Sequence, residues 1–136
     1  MGCAKFQTAR ECGSFVEAIK QWRGQASGAS AAPSSSAAPS RNPTPPGAPS
    51  LDSRALADRY DDLAQRIDAL KLSSPELTPR AARYQKLARE AAAALRDVAT
   101  AVEKGDPEKA RRRRVEFDDI ARGEGPLVAD INAVCR

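Results

Sequence analysis

The chain of 136 residues contains no histidine, which removes the commonest general base and the commonest metal ligand together. It has three cysteines, Cys3, Cys12 and Cys135, and no Cys-x-x-Cys spacing, so the pattern of a zinc site is missing. Aromatic residues make up only 4% of the chain. No run of 18 apolar residues occurs, so no segment reads as a transmembrane helix. A phosphate-binding glycine loop and a Gly-x-Ser-x-Gly elbow are equally missing. These gaps lead to the expectation of a non-enzymatic protein with no catalytic residues, no metal and no cofactor.

Helix signals dominate what remains. From Thr78 to Gly105, apolar side chains recur at Ala81, Tyr84, Leu87, Ala88, Ala91, Leu95, Val98 and Val102, in steps of three and four. Thr78 is placed as the N-cap, with Pro79 at the first helical position, and Gly105 is the expected residue beyond the C-terminus. Such a helix spans about 39 Å, and its one-sided stripe can be buried only against other helices.

A second helix is expected from Leu51 to Leu72. Leu56, Tyr60, Leu63, Ile67 and Leu70 alternate steps of four and three, which is a heptad seam. The short connection at Ser73-Ser74-Pro75-Glu76-Leu77, in which Ser74-Pro75 caps an extra turn, makes the two helices antiparallel neighbours. Asp106-Pro107 starts a further helix with a seam at Ala110, Val115 or Arg114, Phe117, Ile120 and Ala121. Gly123-Glu124-Gly125-Pro126 interrupts that helix, and the register resumes at Leu127, Val128, Ile131, Val134 and Cys135, so a kinked or restarted helix is expected.

Residues 4–23 read as the first helix, with Phe6, Ala9, Cys12, Phe15, Val16, Ile19 and Trp22 on one face. A face so apolar must dock. Residues 24–50 differ sharply, holding six of the ten prolines among Ala and Ser. Such a stretch buries too little to offset its ordering entropy and reads as a disordered linker whose ends lie roughly 30 Å apart. The expected architecture is an all-α, up-down bundle of three to four helices. It divides into an N-terminal amphipathic helix at 1–23, the linker at 24–50 and a bundle domain at 51–136.

The net charge is +4. Residues 1–50 hold five basic and two acidic side chains, whereas residues 51–136 hold seventeen and sixteen, so the body is almost neutral. That balance gives little support to a nucleic-acid partner. The loudest basic feature is Arg111-Arg112-Arg113-Arg114. Four consecutive helical residues fan over about 300°, so they cannot form one basic face, and one must lie near the seam and pair with a carboxylate such as Glu116 or Asp118. Joined to Arg80, Arg83, Lys86, Arg89 and Arg96, the run would be a basic contact for an acidic partner or nucleic acid. Glu124, between two glycines on the seam, is either a buried partner for one of these arginines or an exposed residue at a kink.

The cysteines carry the most information. If the first helix docks antiparallel to the last, Cys12 approaches Cys135, and a disulfide between them implies an oxidising compartment. The other reading is a pair of buried free thiols. Gly2-Cys3 resembles the end of a bacterial lipoprotein signal, where a cysteine after a small residue is lipidated. The apolar stretch that such a signal carries upstream is missing from the chain as written, so the resemblance implies a start inside a longer signal. It implies lipidation at Cys3 and a membrane tether. The leading expectation is therefore a small envelope protein, periplasmic or membrane-anchored, that binds an unidentified protein. The alternative is a cytoplasmic interaction protein working through Arg111–Arg114.

Overall fold

A computed structural model describes residues 2–30 and 48–136. Five helices make up the described chain: α1 (Gly2–Ser30), α2 (Ala48–Ala69), α3 (Thr78–Glu103), α4 (Pro107–Arg122) and α5 (Glu124–Val134). They form an all-α bundle with no strand among the described residues. The expected disordered linker falls mainly on residues 31–47, which lie outside the described residues. Helical backbone reaches Ser30 before them and resumes at Ala48 after them.

Helix α3 is the axis. Ala88, Ala91, Ala92, Leu95 and Ala99 are wholly buried along it. These small side chains let neighbouring helices approach closely, so burial comes from contact of backbones as much as of large side chains. Ala57, Leu63, Ala64 and Ile67 of α2 meet this stripe. The pairing is antiparallel: Arg54 reaches Glu103 at 2.8 Å, and the Gln85 amide donates to the Ala64 carbonyl at 2.9 Å. Helix α4 runs back along the other side of α3, where Arg113 faces Asp97 at 3.4 Å.

The connections follow from local chemistry. After α3, Gly105 adopts φ +72°, and the N–H groups of Gly105 and Asp106 donate to the carbonyls of Val102 and Ala101 at 3.1 and 2.8 Å. This is a Schellman stop, which only glycine enters without a Cβ penalty. Asp106 then caps α4 by accepting the Lys109 N–H. Between α4 and α5 the helix breaks at Gly123. Pro126 lacks an N–H, and its ring excludes the carbonyl four residues back, which prevents an unbroken helix.

Two expected helix boundaries and one seam position shift. Leu77, not Thr78, occupies the N-cap position of α3, and no side-chain cap bond is made there. The reason lies one turn earlier. Residues 75–77 form a leading turn in which Ser74 Oγ accepts the Leu77 N–H at 3.4 Å, and the Thr78 N–H donates to the Ser74 carbonyl at 2.9 Å. Helix α2 ends at Ala69, because Lys71 turns into the left-handed region at φ 50°. On the α4 seam, Val115 is 53% exposed and Phe117 is the buried residue.

Candidate functional site

Helix α1 docks on the bundle, and the residues that dock it define the site. Phe15 and Trp22 are buried on its inner face. Phe15 meets Tyr84 edge-on with centroids 6.0 Å apart, and Trp22 packs on Tyr60, which in turn meets Phe117. Five of the six aromatics thus join α1 to the body. Phe6 is the exception. It was expected on the buried face, as was Ala9, but Phe6 is 75% exposed and Ala9 is exposed too. The turn that carries Phe6 lies before Cys12, where α1 meets the connection after α2 in place of a helix. Leu70 and Leu72 only border that ring.

At this end, Cys12 and Cys135 are joined by a disulfide, with Sγ–Sγ 2.02 Å and Cα–Cα 5.6 Å. Beside it, Glu11 accepts the Ser74 N–H at 2.8 Å, the Ser73 N–H at 3.0 Å and the Ser73 hydroxyl at 2.8 Å. Burial pushes the Glu11 carboxyl up. Its hydrogen bonds with the Ser74 N–H, the Ser73 hydroxyl and N–H, and Gln7 outweigh that and hold it below its ordinary range. The carboxylate therefore clasps the α2–α3 connection to α1.

One end of α5 away, Glu124 accepts the Tyr84 hydroxyl and the Arg23 guanidinium, the latter at 3.1 Å. Neither earlier reading of Glu124 holds. It is half-buried, and its partner is Arg23 of α1 and not a member of the 111–114 run. Burial raises the Tyr84 phenol far above its ordinary value, and the hydrogen bond to Glu124 adds to the shift. Between this cluster and the disulfide, α1 and α5 run antiparallel. They enclose a cleft of about 210 Å³, floored by Phe15, Ile19, Tyr84 and Ile131.

The four arginines fan out as their spacing requires. Arg111, Arg112 and Arg114 are exposed, and Arg114 lies 6.0 Å over the Phe117 ring. Arg113 is the member near the seam, paired with Glu116 at 2.6 Å and with Asp97. Arg80 is engaged by Asp130, Lys86 by Glu90, and Arg96 by Asp58 and Asp61. With Arg113, four of the nine cations of the expected basic stripe are thus paired in place. Cys3 is a free, exposed thiol on the first turn of α1.

Sequence reasoning missed Glu11 and the Arg23–Glu124–Tyr84 cluster. Glu124 was singled out as a candidate partner for an arginine, but nothing near Arg23 or Glu11 signals a partner more than sixty residues away. Among the described residues, no cluster of three metal-ligating side chains occurs, and no helix is long and apolar enough to cross a membrane. The fold and the bridge define a disulfide-stapled helical bundle. Comparison with protein-family models, with curated proteins and with solved structures gives no match.

Proposed function

We propose that this chain is a non-enzymatic protein of a bacterial cell envelope, tethered to the membrane through lipidation at Cys3, whose bundle binds another protein. The single observation that carries the reading is the Cys12–Cys135 bridge. Disulfides of this structural kind persist in oxidising compartments and are rare in the cytosol. The exposure of Cys3, nine residues ahead of the bridge, leaves its thiol open to modification while the bundle is folded. Residues 51–136 carry seventeen basic and sixteen acidic side chains, and this near-neutral balance favours a protein partner over nucleic acid.

The test is the intact mass of the natively expressed protein, with and without reductant, after alkylation of free thiols. The expected result is two thiols that alkylate only after reduction and an acylated N-terminus at Cys3. Three thiols that alkylate freely, on a chain that still begins at Met1 or Gly2, overturn the reading. Salt-dependent binding at Arg111–Arg114 is then the next measurement.

A further inference from the structure

The cleft between α1 and α5 is apolar along Phe15, Val16, Ile19, Val128 and Ile131, with the Asn132 amide near its bridge end and both of its cations toward the other. Its register is set by the Cys12–Cys135 bridge at one end and the Arg23–Glu124 pair at the other. Nearest the bridge it is lined by Phe15, Val16 and Ile131. Toward the other end Lys20 and Arg23 border it, three residues apart and so on one face of α1. Arg23 is already balanced by Glu124, which Tyr84 also engages. No carboxylate among the described residues pairs with Lys20, so its charge is the uncompensated one at the mouth.

We propose that this cleft binds a small amphipathic anion: a carboxylate whose apolar body is about the size of an aromatic ring. At about 210 Å³ the open cleft has room for a single aromatic ring. The ring lies between Val16 and Val128, and the carboxylate leaves the cleft beside Lys20. Small-molecule sites commonly combine an apolar, pre-formed hollow with one or two polar groups that fix orientation. This inference goes beyond the envelope reading and does not depend on it.

The test uses the oxidised full chain, with 4-phenylbutyrate and its neutral counterpart 4-phenyl-1-butanol as probes, followed by amide chemical shifts and calorimetry at low salt. The acid is expected to bind about tenfold more tightly than the alcohol. Lys20→Glu, at an exposed position, is expected to erase that preference. Val128→Phe and Val16→Phe each fill the cleft and are expected to weaken both probes at least about tenfold. Using both guards against one of them failing to fold. The proposal is overturned if neither probe saturably perturbs Ile19 and Val128, if the filled variants bind as tightly as the parent, or if Lys20→Glu keeps the preference for the acid.

Discussion

Trp22 and Arg59 hold each other's backbones. The indole Nε1 donates to the Arg59 carbonyl at 2.7 Å, and the Arg59 guanidinium donates to the Trp22 carbonyl at 3.3 Å. The guanidinium carbon also lies 5.7 Å from the centre of the indole ring. Helix α1 is thereby fixed to α2 both along its axis and about it. Trp22→Phe keeps the ring packing and loses the donor, and should cost about 1 kcal/mol. Trp22→Ala removes the ring as well and should cost about 3 kcal/mol. Urea denaturation of the oxidised protein measures both values.

The disulfide should contribute more than any single contact. It joins residues 123 positions apart. In the chain-entropy model, a loop of that length is worth about 5 kcal/mol. Cys12→Ser with Cys135→Ser should lower the unfolding midpoint accordingly. Because Trp22 is the only tryptophan, its emission reports on α1 alone. In the double variant the emission should shift to the red at lower urea than the loss of far-UV helical signal, as α1 leaves before the rest unfolds.

The clasp at Glu11 makes stability depend on acid. Its folded pKa lies below the unfolded one, so its contribution is full above the unfolded value and is lost as pH falls through the folded one. Glu11→Gln should therefore destabilise the protein at neutral pH and have little effect well below pH 4, where the parent carboxyl is itself protonated. Denaturation midpoints of the two proteins across pH 3–7 should converge at the acid end.

At the alkaline end, both tyrosines resist ionisation. Burial raises Tyr60 and Tyr84, and the negative charge of Glu124 raises each further. A phenol raised in the folded state stabilises fully below its unfolded pKa, and that stability is lost as pH climbs above about 10. Absorbance at the phenolate band should remain flat through about pH 10 in the native protein and then rise together with unfolding. Tyr84→Phe should remove part of this alkaline sensitivity.

Lys71 stands in the left-handed region, with its side chain 80% exposed and its one ion pair stretched to 4.0 Å. Lys71→Gly should relieve the Cβ clash at almost no loss of contact and stabilise the protein by up to about 1 kcal/mol. A rise in melting temperature checks it.

Features of short range were legible in the sequence. The stripe of α3, the seam from Leu56 to Ile67, the stop at Gly105 and the cap at Asp106 each depend on neighbours within a turn or two. Cys12 with Cys135 was legible for a different reason: both sit on faces that must be buried, at ends that an antiparallel docking brings together. What remained hidden depends on the axial offset of α1 against the body. That offset decides that Glu11 reaches Ser74, that Arg23 reaches Glu124, and that Phe6 falls beyond cover. Nothing local to those residues encodes it. The left-handed turn at Lys71 was hidden because its usual marker, a glycine, is not there.

The bridge also governs how the molecule carries load. Tension applied to the chain before Cys12 and after Cys135 runs through the sulfur–sulfur bond and bypasses every helix residue between them. Pulled from its two ends, the oxidised protein should lengthen by only the slack outside the bridge, and the bundle should stay folded until covalent bonds yield. Reduced, the same chain should pay out its full contour. Between the segment before Cys12 and the residue after Cys135, the protein is a tie that does not stretch.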